Sequence, residues 1–422
     1  MTPQFSEDDW PIVVVGAGAA GLLAAIHASR QGRRALVLET RPVPGAKIRV
    51  SGGGRCNLLP SRVELSNYHT SGSPNALRNI LFSWPLGEVR AFFERDLGLP
   101  LKEESTGKVF PAADRAMAVV HALLSECRRT GVALAGGCRV ERISREGTGP
   151  FRVELAPRKS GGPSTVRTHR LILATGGLSL PKTGSDGHGL SMAASLGHSV
   201  VETHPALVPL LSSDPAWGEL AGISLRARLK SVKDGALLEE RDGDLLFTHR
   251  GFSGPAVLDL SRHFTVPGGE RPELHAGWGC CTAADWERLL LSPARKSVAG
   301  ALRDHLPRRL VDRLMALAHV PQERRSSELS RLERTRLNGF LTSCPLPVKG
   351  DEGYGVAEVT AGGIPLEEIF PRTLESRLVP GLHLAGEMLD VVGHIGGYNF
   401  LWAWVTGRKA GLAAAEARPL AY

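Results

Sequence analysis

Between Ile12 and Glu39 the chain reads as strand, glycine-rich turn, helix, strand and acid, and few folds accommodate that succession. Ile12 to Val15 is a short β-branched run of the kind buried in a parallel sheet. It enters Gly16-Ala17-Gly18-Ala19-Ala20-Gly21, then a helical stretch from Leu22 to Arg30, then a second strand from Ala35 to Leu38 that closes on Glu39. Gly16 permits a tight turn, Gly18 lets a pyrophosphate approach the backbone, and Gly21 lets helix and strand pack closely. The helix N-terminus offers unpaired N–H groups and a partial positive charge to a phosphate. Glu39, eighteen residues beyond Gly21, is placed for the hydroxyls of an adenosine ribose. An acid there favours a 2′-hydroxyl over a 2′-phosphate, so the ligand is FAD or NAD rather than NADP.

The rest of the chain decides between those two. Leu171 to Ala174 is another buried strand, and Thr175-Gly176-Gly177 after it is a second strand-to-glycine turn. Far downstream, Leu382 to Ala385 forms a strand that ends in Gly386-Glu387. Gly396-Gly397-Tyr398-Asn399 then opens a helix through Gly411. Such an acid meets the ribityl or phosphate region of a flavin, and the helix N-terminus faces the pyrimidine, where its dipole stabilises negative charge. An N-terminal glycine motif completed by a C-terminal acid and helix points to FAD.

The chain's 422 residues exceed what one core usually serves, so two or three domains are expected. Forty-nine glycines, against about 7% in an average protein, fall in short clusters that imply tight turns and close backbone–ligand approach. The opening residues, with Glu7, Asp8 and Asp9, lack a basic leader, and the apolar run from Pro11 to Ile26 is broken by glycines. A cytoplasmic protein without a membrane span is expected. The six cysteines (Cys56, Cys127, Cys138, Cys280, Cys281, Cys344) form no CxxC pair and no metal spacing, and adjacent Cys280 and Cys281 read as inert thiols. Net charge is +8, and Trp286 to Arg336 carries twelve Lys/Arg against six Asp/Glu. That stretch is either a solvated helical face or an anion-binding one; helical spacing would array Arg309 and Arg313 one turn apart, with Pro307 separating them from Arg303, so that two short helices form the face.

Six blocks in order carry a family pattern: Lys47 to Asn57, Lys108 to Asp114, Leu173 to Gly189, Leu245 to Pro255, Ala357 to Gly363 and His383 to Trp404. The chain resembles the YhiN/BaiN-like family of FAD-dependent bacterial oxidoreductases, distant relatives of glutathione reductase. The resemblance implies an α/β, Rossmann-type FAD domain built from both chain ends, with an inserted β-rich domain and a small helical subdomain. The expected boundaries are 1–200 and 356–422 for the FAD domain, 201–280 and 340–355 for the β-rich part, and 281–339 for a basic helical insert. The residues agree. Strand-like runs lie at Leu207 to Leu210 and Leu225 to Leu229, and helical periodicity covers Trp286 to Leu337, punctuated by Pro293, Pro307 and Pro321.

The cofactor-binding candidates are Gly16, Gly18, Ala19, Ala20, Gly21, Glu39, Lys47, Gly53, Gly54, Arg55, Asn57, Ala174, Thr175, Gly176, Gly386, Glu387, Gly396, Gly397, Tyr398 and Asn399. The glycines at 52–54 let backbone lie against a planar ligand, and Arg55 and Asn57 offer hydrogen bonds to flavin carbonyls or phosphate. By resemblance this loop runs along the isoalloxazine. Cys56 is a packing thiol or a proton donor beside the flavin, with Arg55 favouring its thiolate modestly. His249 is a structural histidine or a proton carrier, with Arg250 and Ser253 as anion contacts. His188 and His394 sit in glycine-rich turns, where each serves the site or bonds to backbone. No second complete GxGxxG with an acid is present, so NAD(P)H, if it is the reductant, binds transiently. Three substrate readings stay open: a uridine of ribosomal RNA reduced to dihydrouridine, a small metabolite of the amine or enoyl kind, and a non-catalytic flavin-dependent binding role. No metal is expected, and oligomeric state is open.

Overall fold

The computed structural model describes residues 9–157, 163–279, 281–292 and 296–416. Cys280, Pro293, Glu7 and Asp8 lie outside the described residues. The chain forms two compact units, Met1–Thr203 with Val359–Tyr422, and His204–Glu358.

The first unit is an α/β fold on a Rossmann-type sheet. Strand β1 (Asp9–Val15) lies between β2 (Ala35–Glu39) and the long strand Thr165–Leu173, all parallel. Ala133–Gly136 extends the sheet beyond β2. On the other edge, Thr165–Leu173 is shared: residues 165–168 pair antiparallel with Phe151–Leu155, and Leu171 to Leu173 pair in parallel with Leu382–Leu384. The register sets Val15 against Leu173, and Leu173 against Leu384, so three chain segments end together at one sheet edge. All of β1 from Ile12 to Val15 is buried, as a strand covered on both faces must be.

Helix α1 (Ala19–Arg30) packs against the last helix, Tyr398–Glu416. The crossing is tight because both surfaces are small. A Cβ on Gly407 would lie 2.3 Å from the Ala20 carbonyl oxygen, and one on Gly411 2.1 Å from that of Ala24. Backbone contact at this distance excludes any side chain, and it locks the two chain ends into one body. Trp402 and Trp404 complete the join by donating their indole N–H groups to the carbonyls of Gly386 and Leu58, each at 3.1 Å.

The second unit is built on a seven-stranded sheet whose centre is the hairpin Ser224–Lys233 with Ala236–Phe247. Asp234 and Gly235 turn it with φ of 51° and 77°, the double positive φ that a two-residue hairpin loop of right-handed twist demands. Helices Ala283–Leu291, Val298–Leu302, Arg308–Leu317 and Arg331–Thr342 share one hydrophobic cluster with the sheet, around Trp217, Phe247, Trp278 and Trp286. The helical stretch is therefore not a body apart from the β-rich one. Pro307 serves as the N-cap of Arg308–Leu317.

The helical stretch does not gather its arginines into an anion face. Arg303 pairs with Asp312 at 2.6 Å, Arg309 donates to the carbonyls of Glu219 and Ala221, and Arg313 pairs with Asp214. Arg324 and Arg334 are held by Glu333 and Glu287. The proline break separates Arg303 from the other two, and each guanidinium serves the fold nearby.

Candidate functional site

The three motif glycines do three different things. Gly16 has φ of 101°, and a Cβ on it would stand 2.5 Å from the Ala174 carbonyl oxygen. A Cβ on Gly21 would stand 1.9 Å from the Gly16 carbonyl oxygen. Both are glycine because protein fills the space. Gly18 has φ of −80°, open to any residue, and nothing lies within 4 Å of where its Cβ would be. That open ground caps α1, whose first turn carries no acid and whose N-terminus has no side-chain cap. A diphosphate fits there, because the unmet N–H groups and the helix dipole favour an anion. Ala19 and Ala20 are the first helical residues and keep that approach small.

Glu39 closes the other side. One carboxylate oxygen accepts the Ala17 N–H and the other the Arg41 N–H, each at 2.7 Å. Burial raises its pKa, opposed by those two backbone donors. A carboxylate has room for about four hydrogen bonds, so two positions stay open for ribose hydroxyls. Beside it, Ala174 is buried at the sheet edge, and Thr175 and Gly176 follow in the turn; Gly176 has φ of 77°. The residues thus fit the adenosine and pyrophosphate half of FAD.

At the expected flavin end, Gly52, Gly53 and Gly54 take φ of 54°, 66° and 84°. Gly53 and Gly54 have no atom within 4 Å of a Cβ position. Asn57 follows with its side-chain carbonyl oxygen buried and without a hydrogen-bond partner. A bare backbone ledge beside an unmet acceptor is the surface a flat heteroaromatic with N–H groups would cover. Lys47 and Glu387 form an ion pair at 2.5 Å. Ser179 joins them, accepting from Lys47 and donating to Glu387, each at 2.6 Å, and Thr360 N–H donates to the same carboxylate at 3.0 Å. Glu387 therefore positions three distant segments instead of pointing unengaged at a ligand. Gly386, with φ of 79°, hands its N–H to Thr406. Gly396 and Gly397 bring the chain into the last helix with φ of 122° and 93°, and Tyr398 starts that helix. Asn399 spends its side chain on the Gly393 N–H and carbonyl, both at 2.8 Å, which fixes the turn before the helix.

The catalytic candidates sit in different surroundings. Cys56 is fully buried in the core at φ 62°, and burial pushes its thiol up to about 12. Arg55 does nothing to lower it. Its guanidinium stacks 4.1 Å over the Phe110 ring and pairs with Glu104 and with Asp114 at 2.7 Å, which also withdraws it from the flavin contacts expected of it. The packing reading of Cys56 is the one this geometry supports. His249 is exposed in the second unit, in the turn before Gly251–Ser253, next to exposed Arg250. His188 bonds the Glu141 carbonyl at 3.1 Å, the backbone role. His394 does not. Its Nε2 faces the Nε2 of His69 at 3.1 Å, on the pairing of Val392–Gly393 with Tyr68–His69 just before the final helix. At that distance one ring nitrogen donates and the other accepts, in a direction set by the tautomers. His69, Ser179 and Thr360 carried no individual signal in the sequence, although Ser179 and Thr360 fall inside two of the family blocks. Among the described residues no helix is long and apolar enough to cross a membrane, and Cys56, Cys127 and Cys344 are free thiols.

Residues 10–413 match the family described as HI0933-like protein Rossmann domain. A ribosomal RNA dihydrouridine synthase of Escherichia coli is 34% identical over 399 residues, spanning 93% of this chain and 94% of that one. A 3-dehydro-bile acid delta(4,6)-reductase of Clostridium scindens is 34% identical over 423 residues, 96% and 99% of the two chains. Among solved structures, a 3-ketosteroid delta1-dehydrogenase of Sterolibacterium denitrificans is similar with a TM-score of 0.50 at 13% identity, covering 96% of this chain and 99% of that one, a likeness of fold.

Proposed function

The chain belongs to the HI0933-like Rossmann family and is an FAD-dependent oxidoreductase; from that premise we propose that it reduces a uridine of ribosomal RNA to dihydrouridine. The carrying observation is end-to-end similarity to a ribosomal RNA dihydrouridine synthase, 34% identical across 93% of the chain. A basic protein of net charge +8 suits a polyanionic substrate.

Reduction adds one hydride and one proton across the C5=C6 bond of the pyrimidine. FAD, when bound, supplies the hydride chemistry. The chain's part is to hold the diphosphate at Gly18 and α1, the ribose at Glu39 and the ring against Gly53, Gly54 and Asn57. We place proton handling on the His69–His394 pair, whose ring nitrogens face one another at 3.1 Å just before the final helix. NAD(P)H is the proposed reductant and binds transiently in the substrate cleft.

The test is a gene deletion followed by mass spectrometry of nucleosides from ribosomal RNA. Dihydrouridine should disappear and return on complementation. A second reading, reduction of a conjugated small molecule, draws on the equal identity to the bile acid reductase. Unchanged dihydrouridine in the deletion strain, with flavin reoxidation by a steroid enone in vitro, would select it.

A further inference from the structure

A cavity of about 530 Å³ opens in the first unit beside the glycine ledge. Arg49 and Val50 of α2 (Ala46–Val50), Gly54, Arg115, Met117 and Lys182 line it. Its three cations come from three separate segments and all are exposed. Among the described residues none of them makes an ion pair, in contrast to most arginines of the basic helical stretch. Asp114, next to Arg115 in the chain, is already held by Arg55 and Lys102. Cations gathered without counter-charge repel one another, and an anion between them removes that cost.

The rest of the lining shows what kind of anion. Ala46, Val50, Ala116 and Met117 supply an apolar floor, and Thr183 is the only uncharged polar side chain. Three cations over an apolar floor suit the sequence-independent phosphate contacts that position a nucleic-acid strand. Gly54 belongs both to this wall and to the ledge at the expected flavin face. We propose that the cavity seats backbone phosphates of the RNA strand flanking the reduced uridine, with Arg49, Arg115 and Lys182 as the neutralising groups. This inference rests on the ribosomal RNA reading above.

Equilibrium binding separates the two. The holoprotein would be titrated with a labelled single-stranded fragment of ribosomal RNA across a salt series. Wild type would be compared with Arg49→Glu/Lys182→Glu and with a charge-matched control, Arg308→Glu/Arg336→Glu. Losing two phosphate contacts should weaken binding at least tenfold at moderate salt. It should also reduce the slope of log affinity against log salt by about 1.4, at about 0.7 per contact on a single strand. The control should change little, and flavin content should be equal in all three. Unchanged affinity and slope, or an equal loss in the control, overturns the proposal. So does weakened NADPH binding with RNA binding intact, which would make the cavity a dinucleotide site. A deletion strain that keeps its dihydrouridine sinks the uridine reading alone, since the binding slopes are measured without turnover.

Discussion

Gly18 and Gly21 stand three positions apart, yet the structure assigns them opposite failures. Alanine at 21 would place its Cβ 1.9 Å from the Gly16 carbonyl oxygen, so the turn must move by more than an ångström. Overpacking of that kind costs about 1–3 kcal/mol, which lowers the melting temperature by several degrees in a protein of this size. Alanine at 18 meets nothing within 4 Å, and its φ of −80° suits any residue. Apoprotein stability should therefore stay within about 0.5 kcal/mol of wild type. The added methyl instead occupies the approach of the pyrophosphate. A clash worth about 1.4–3 kcal/mol raises the Kd for FAD roughly 10–100-fold. Circular dichroism melts of the apoproteins and flavin-fluorescence titrations read the two effects apart. A Gly18→Ala protein with wild-type FAD affinity, or a Gly21→Ala apoprotein that melts with wild type, would refute the reasoning.

Cys56→Ala should leave turnover within about threefold of wild type while costing about 1–2 kcal/mol of stability from the lost buried sulfur; a hundredfold fall in rate would restore the thiol to catalysis. Burial between Trp84 and Phe92 pulls His27 from 6.5 down to about 3, with Arg408 and Arg30 adding to it. The unfolded chain takes that proton first, so its contribution is complete above pH 6.5 and falls away as pH drops toward 3. His27→Leu should abolish a loss of roughly 2–3 kcal/mol between pH 6.5 and 4.5, and parallel stability–pH curves for the two proteins would count against it. Lys47→Met and Glu387→Gln should be non-additive in stability by at least about 1 kcal/mol, because each loses the same ion pair; additive costs in a double-mutant cycle would mean the pair is not coupled.

The nucleotide-binding frame was legible because its signals are local. Strand, glycines, helix and Glu39 lie within a few turns of chain, and the physics of a tight turn or a helix N-terminus acts on neighbours in sequence. The open ground at Gly18 and the crowding at Gly21 were both implied by one motif. Side-chain partners were not legible, because an ionisable group is defined by what tertiary packing brings to it. Arg55 beside Cys56 suggested an activated thiol; folding turned the guanidinium to Phe110, Glu104 and Asp114 and buried the sulfur. The arginines from Arg303 to Arg313 looked like an anion face until Asp312, Asp214 and two carbonyls took them. Meanwhile Arg49, Arg115 and Lys182, far apart in sequence and unremarkable there, came to share one cavity. His69 and His394, separated by more than three hundred residues, met only because two short strands pair. Sequence alone determined the backbone's fold and cofactor class, since those rest on periodicity and steric permission. Which charges stayed unpaired was decided by the tertiary structure, since burial and counter-charge are properties of a place in space and not of a position in the chain.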